Sequence, residues 1–328
     1  MSDGNNEKIL VAGGAGYIGS HMVRVLIEAG LDPVVIDNLS TGYRDFVPGK
    51  VPFYEADLRE PGVFSELIKT HHISGVIYFA SHIEVGESVI DPLKYYDNNL
   101  ISCINLIRAM KENSIDRVVF SSTAAVYGDP ECVPVKEDAV LAPKNPYGRS
   151  KMMMEKMLSD AGTAYGLKCV ILRYFNVAGA FPGGEIGEKH VPETHLIPNV
   201  LKSIKNDNCE FNIFGDDYST PDGTCIRDYV HVVDLCGAHL KALRYLEGNI
   251  SGIFNLGSGK GFSVREVLET VMKVTGQKIE ANVLDRRDGD PERLVASIAK
   301  AKDVLGWEPE YGLEDMIRTA WKWENNLC

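Results

Sequence analysis

Short apolar runs alternate with longer amphipathic stretches through the first half of the chain. Ile9-Leu10-Val11-Ala12 is apolar at every position, the pattern of a strand buried on both faces. Ile18 to Ala29 then carries apolar residues at helical spacing and stops at Gly30. The alternation repeats. Strands are predicted at 33–37, 52–57 and 75–80, a long helix from Pro92 to about Asn113, and a strand over 117–122. A helix from Pro146 to near Tyr165 and a strand over 167–176 complete the series. Strands alternating with helices imply a parallel sheet with right-handed crossovers.

Beyond Asn176 the rhythm changes. Residues 178–192 are rich in Gly and Pro and read as a loop. A helix is predicted over 195–206, strands over 211–214 and 225–230 with a polar turn between them, and two helical stretches near 298–305 and 313–323. Ser263-Val264-Arg265-Glu266 has the spacing of a capping box opening another helix. The expected architecture is therefore α/β. A Rossmann-type doubly wound parallel sheet over 1–176 is followed by a smaller mixed α/β domain over 177–328, with a segment near 225–247 able to pack back on the first. The cleft between the two is the expected ligand site.

Candidate chemistry enters at the first turn. Gly13, Gly16 and Gly19 fit G-x-x-G-x-x-G directly after a strand and before a helix. Missing side chains there allow a tight turn, close approach to a pyrophosphate and close helix packing. The helix N-terminus then offers free N–H groups to the anion. Asp37 ends the second strand, where its carboxylate can accept hydrogen bonds from ribose hydroxyls and repel a 2′-phosphate, which favours NAD over NADP. The plainer reading of Asp37 is a solvated strand-end carboxylate.

Of fourteen tyrosines, only Tyr147 is followed by a lysine four residues later, Lys151. Four residues along a helix place both on one face. Thr123, at the end of the 117–122 strand, supplies a hydroxyl upstream of them. A phenol near its usual pKa of about 10 is a poor base at neutral pH. A neighbouring ammonium favours the phenolate. A hydroxyl, a phenol and an ammonium beside a dinucleotide can move a proton and a hydride off a carbinol. The plain alternative is a surface pair at a helix start.

Composition narrows the classes. The 328 residues carry a net charge of −12, which argues against nucleic acid as a partner. No apolar run approaches the ~20 residues that would span a bilayer, and Met1 to Lys8 is polar. Membrane association is not expected. The seven cysteines form no C-x-x-C and sit mostly in apolar runs, as expected of buried thiols in a reducing cytoplasm. The Asn249-Ile250-Ser251 sequon is read as incidental. No metal centre is expected: H-E-x-x-H is absent, and His190 and His195 read as polar loop residues, His195 near uridine.

The chain resembles the extended short-chain dehydrogenase/reductase superfamily and, within it, the UDP-hexose 4-epimerase branch. The stations are Gly13–His21, Asp37-Asn38-Leu39, Val85–Ser88, Tyr95–Asn99 and Ser121–Gly128. They continue with Pro146–Lys151, Leu172–Asn176, Ile226–His231 and Arg286–Asp290. The early motifs specify the superfamily, and the later ones together point to the branch.

The resemblance implies that Tyr147 takes the proton of a sugar 4′-hydroxyl while the 4′-hydride moves to a permanently held NAD. The keto sugar would rotate about its link to the diphosphate and receive the hydride on its opposite face. Thr123, Tyr147 and Lys151 would be catalytic. Gly13, Gly16, Tyr17, Ile18, Gly19, Asp37, Asn38, Asp57, Leu58, Phe79, Ala80, Asn98, Lys151 and Tyr174 would hold NAD. Thr123, Tyr147, Asn176, His195, Leu196, Phe214, Arg227, Arg287, Asp290 and Leu294 would contact the UDP-sugar, the arginines suiting diphosphate oxygens. A homodimer through the 92–113 and 146–165 helices is implied. Met152, Met153, Met154 and Met157 fit such a surface and fit an intramolecular core equally well.

Three positions depart from the pattern. Thr123 replaces the serine of many relatives, and Ile83 stands where some place a lysine. Leu294 stands where some strict glucose/galactose enzymes have a bulky tyrosine, so N-acetylhexosamine nucleotides become a second expected substrate class. A dehydratase would need an Asp-Glu pair after the hydroxyl, where Ala124 and Ala125 stand. A nucleotide-sugar decarboxylase is likewise disfavoured. A non-catalytic dinucleotide sensor typically lacks the Tyr or the Lys, and both are present.

Overall fold

A computed structural model describes residues 7–206, 209–248, 250–287 and 290–327. Asn249 of the sequon, Asp288-Gly289 of the arginine motif, most of the polar N-terminus and Cys328 lie outside them.

In chain order the larger sheet takes β1 (Lys8–Ala12), β2 (Asp32–Asp37), β3 (Phe53–Glu55), β4 (Gly75–Tyr78), β5 (Arg117–Thr123) and β6 (Lys168–Tyr174). The helices between them are α1 (Tyr17–Glu28), α2 (Val63–His71), α3 (Val85–Ile90), α4 (Pro92–Glu112) and α5 (Pro146–Tyr165). There follow β7 (Asn176–Ala178), α6 (Leu196–Lys205), β8 (Glu210–Phe214), β9 (Ile226–His231), α7 (Val232–Tyr245) and β10 (Gly252–Leu256). The chain ends with β11 (Gly261–Ser263), α8 (Val264–Thr275), β12 (Glu280–Leu284), β13 (Arg293–Leu294), α9 (Ala299–Leu305) and α10 (Leu313–Asn326).

The large sheet has the order β10-β6-β5-β4-β1-β2-β3. Its β3–β2–β1–β4–β5 neighbours all pair parallel. This is the doubly wound sheet expected, with the order reversing between β1 and β4, where such sheets bind ligands at their carboxyl ends. Both faces are covered, so β1 is buried nearly throughout and its residues are apolar without alternation.

Two compact units emerge. One comprises 1–126, 143–173 and 236–254; its core sets Leu10, Val34, Val76 and Phe120 of the sheet against Phe64, Leu106, Met154 and Leu158 of the helices. The other comprises 127–142, 174–235 and 255–328. Its core is Ile197, Val200, Leu201 and Ile204 of α6, Val267 and Val271 of α8, and Met316 and Ile317 of α10. Small sheets accompany it: β9 lies beside β11, β13 and β7, and β8 pairs parallel with β12.

Two differences from the sequence expectation have physical reasons. The single strand predicted over 167–176 is two, because Phe175 gives its N–H to Leu256 and the chain resumes as β7 beside β9. α7 is absent from the periodicity reading because it begins directly after β9, Val232 following His231 with no Gly or Pro separating the two elements.

Candidate active site

The glycine loop is packed as tightly as its sequence suggests. A side chain at Gly19 would lie 2.1 Å from the Gly13 carbonyl oxygen, and one at Gly13 would lie 2.7 Å from the Ala80 nitrogen. Gly13 also has φ +79°, which favours glycine. A side chain at Gly16, the N-cap of α1, would meet only the Gly13 carbonyl oxygen, at 3.4 Å, so the mouth of the helix stays open. Phe79 and Ala80 donate their N–H groups to Ala12, which sets the end of β4 against the end of β1. Tyr17 and Ile18 form the first turn of α1.

Asp37 is buried at the end of β2. Its Oδ2 accepts the Ala15 N–H and its Oδ1 the Leu39 N–H, both at 2.9 Å. Burial raises its pKa and these N–H groups oppose the rise. The carboxylate thus fixes the glycine loop, and its remaining lone pairs suit ribose hydroxyls. Asn38 turns back on itself, accepting the Ser40 N–H. Asp57 is engaged by the Arg59 guanidinium, which lowers its pKa, while Leu58 is buried. Asn98 donates to Asn99 at 3.0 Å, and Asn99 in turn donates to Ser150 on α5. Tyr174 ends β6, half-buried. Open helix mouth, tight glycines and a buried strand-end carboxylate fit a dinucleotide.

Local sequence brings Tyr147, Thr123 and Lys151 together. Asn145 caps α5 by accepting the Gly148 N–H at 2.8 Å, and Pro146 occupies its first position. Gly148 has a steric reason: a side chain there would lie 2.7 Å from the Ala125 carbonyl oxygen. That approach brings Tyr147 to the end of β5, where its phenol hydrogen-bonds Thr123. Burial pushes the phenol up to about 12, and the Thr123 bond opposes this. Lys151 is 2% exposed. Burial brings its ammonium down to about 7, and it donates to Ser81 Oγ and to the Ser121 carbonyl, each at 2.9 Å.

Sequence reasoning missed Ser81 and the Glu155–Arg173 pair. Glu155 lies one helical turn beyond Lys151, and that i, i+4 spacing was the available signal. It pairs with Arg173 of β6 at 2.7 Å and accepts from Ser122 of β5, tying α5 to two strands of the sheet.

In the second unit, a cavity of about 420 Å³ gathers Asn176, His195, Leu196, Phe214, Arg227, Arg287 and Asp290. Arg227 meets Asp290 at 3.2 Å and donates to the Pro291 carbonyl. Arg287 lies over the Phe214 ring, 3.8 Å from its centre. Asn176 donates to the Asp228 carbonyl. Leu294 is paired opposite Arg227 on β13 and does not line this cavity. An apolar floor with two guanidinium groups suits an aromatic base carrying a diphosphate.

Residues 9–257 match the NAD dependent epimerase/dehydratase family. The chain is 52% identical to a UDP-glucose 4-epimerase of Lacticaseibacillus casei, over 97% of each chain. It superposes with a TM-score of 0.93 on a Brucella ovis UDP-glucose 4-epimerase in complex with NAD, at 44% identity over 96% of this chain and 97% of that one. A UDP-Glc/GlcNAc 4-epimerase of Campylobacter jejuni is 42% identical, with a TM-score of 0.86 and coverage of 98% and 99%.

Proposed function

The chain belongs to the NAD dependent epimerase/dehydratase family, and from that premise we propose that it interconverts UDP-glucose and UDP-galactose by inverting the sugar 4′-carbon. The observation that carries the reading is the buried Tyr147 phenol bonded to Thr123, on a sheet whose glycine loop fits a dinucleotide. NAD, when bound, supplies a hydride acceptor that gives the hydride back.

The chain's own residues handle the proton. Tyr147 takes it from the 4′-hydroxyl and returns it, and Thr123 holds the sugar oxygen within reach. Lys151 lends positive potential from a dry site, where charge is felt strongly. Arg227 and Arg287 hold the diphosphate, Phe214 and Leu196 face the base, and Asn176 and His195 complete the contacts. The residues named above at the glycine loop, with Asp37, Asp57, Asn98 and Tyr174, hold NAD. Ala124 and Ala125 supply no second acid or base, which speaks against dehydration.

Leu294 is half-buried and shorter than a tyrosine, so a sugar with an N-acetyl group is a second substrate of this proposal, as in the C. jejuni relative. Turnover of UDP-N-acetylglucosamine by the pure protein tests it, and absence of turnover removes it.

The protein works as a homodimer through α4 and α5. Leu93, Ile101 and Ile104 on α4 and Met153 on α5 are exposed apolar side chains at helical spacing, next to Val89 and Ile90 of α3. Sedimentation at micromolar concentration distinguishes dimer from monomer. The compartment is the cytoplasm, in keeping with six free cysteines among the described residues. Among those residues no helix is long and apolar enough to cross a membrane.

The test of the main proposal is incubation of the pure protein with UDP-galactose and no added cofactor. Appearance of UDP-glucose by NMR supports it. No conversion, with or without NAD, moves the proposal to another nucleotide sugar.

A further inference from the structure

The loop leading into α6 brings together Glu188, His190, Glu193 and His195, with one donor atom of each lying within 4.8 Å of the others. His190 Nδ1 is 3.3 Å and His195 Nδ1 2.9 Å from Glu188 Oε1. From Glu193 Oε1 the same nitrogens are 3.9 and 3.1 Å away. Four donors around a tetrahedral zinc with bonds of about 2.0–2.1 Å stand roughly 3.3 Å apart, close to these spacings. The two imidazole nitrogens converge on one carboxylate oxygen, an arrangement that a shared cation can occupy.

Burial and charge agree. The Glu188 and Glu193 side chains are 7% and 4% exposed, His190 is nearly buried, and His195 is 40% exposed, which leaves a way in from solvent. Glu193 is fixed beforehand by the Thr194 and His195 N–H groups at 3.0 Å and by Lys202 at 3.2 Å. With both imidazoles neutral, the two buried carboxylates bring negative charge together, which a proton or a cation answers.

We infer that Glu188, His190 and His195, with Glu193 closing the set, bind a divalent transition-metal ion of the zinc class. Imidazole with carboxylate suits zinc, nickel, copper or iron rather than magnesium. The ion would lock the segment 188–195 onto the start of α6, and His195 also lines the cavity described above. An imidazole nitrogen binds a metal ion only when it carries no proton, so binding is weaker in acid. The inference does not depend on the epimerase reading.

The full-length protein, stripped with a chelator and dialysed, is titrated with Zn²⁺ by calorimetry at pH about 7.5 and again at about 6. The expected result is close to one ion per chain, weaker at the lower pH, with little response to Mg²⁺. His190→Ala and Glu188→Gln should each weaken binding roughly tenfold or more, with unchanged circular dichroism. Co²⁺ should give the visible absorption of a four-coordinate site and lose it in both variants. If Glu188→Gln fails to fold, His190→Ala decides. Substoichiometric Zn²⁺ uptake, or equal uptake by the folded variants, overturns the inference.

Discussion

The Lys151 ammonium donates to the main-chain carbonyl of Ser121 at 2.9 Å. Ser121 lies two residues before Thr123 on β5, so this bond ties the helix that carries Tyr147 to the strand that carries its hydroxyl partner. The lysine is therefore a structural clasp, and its proposed part in the chemistry separates from that role experimentally.

Lys151→Met should lower turnover strongly yet leave the cofactor-stripped protein at least as stable at neutral pH. The sign follows from the lysine's pKa, about 7 in the fold against about 10.4 when exposed. Between those values the unfolded chain binds more protons, so the lysine's contribution to stability rises with pH across that window. Methionine abolishes that contribution. Denaturant unfolding of both proteins at several pH values checks this: the difference between them should move in favour of wild type as pH rises. A constant difference would contradict it.

Tyr147→Phe should reduce kcat roughly 10²- to 10⁴-fold, the usual worth of a positioned acid–base group, with KM little changed. Thr123→Val leaves a buried phenol short of a partner, a stability cost of about 1–3 kcal/mol, and removes the hydroxyl proposed to hold the sugar oxygen, so turnover should fall. Thr123→Ser should restore most of it. Equal activity of the Val and Ser variants would remove Thr123 from the mechanism.

Gly19→Ala should abolish cofactor retention, because the added carbon would lie 2.1 Å from the Gly13 carbonyl oxygen. The absorbance of protein-bound nucleotide after gel filtration reads this directly. Retention at wild-type level would show that the loop can give way.

Glu155→Ala should destabilise the protein by about 3–5 kcal/mol, because it leaves the buried Arg173 guanidinium uncompensated. Replacing both by methionine should recover most of that loss. Thermal unfolding of the two variants distinguishes a paired charge from simple loss of packing.

Arg287→Ala should raise KM for the UDP-sugar roughly 10- to 100-fold with kcat largely kept, since charge-assisted contacts to a diphosphate act equally in ground and transition states. Initial-rate kinetics check it; a fall in kcat at constant KM would mean the arginine acts on the chemistry instead.

Much of this was legible in the chain. Uniformly apolar β1 followed by spaced glycines and then Asp37 announces a doubly wound parallel sheet, and Pro146 marks the start of α5 to the residue. The Ser263–Glu266 box is present as read. What stayed hidden depends on contacts between distant segments. Glu155 and Arg173 are eighteen residues apart on a helix and a strand, and no local pattern records their pairing. α7 follows β9 without punctuation. The histidines at 190 and 195 share no helical or strand face, and only the folded loop turns their nitrogens to the same two carboxylates.

The central claim is that one hydride leaves the sugar 4′-carbon and returns to its other face while Tyr147 carries only the proton. UDP-galactose bearing deuterium at that carbon, incubated with the purified protein in ordinary water, tests it most directly. The account predicts UDP-glucose with the deuterium retained at the 4′-carbon and no net reduced cofactor. Deuterium lost to water, or left in place on unconverted substrate by protein that holds NAD, would contradict it.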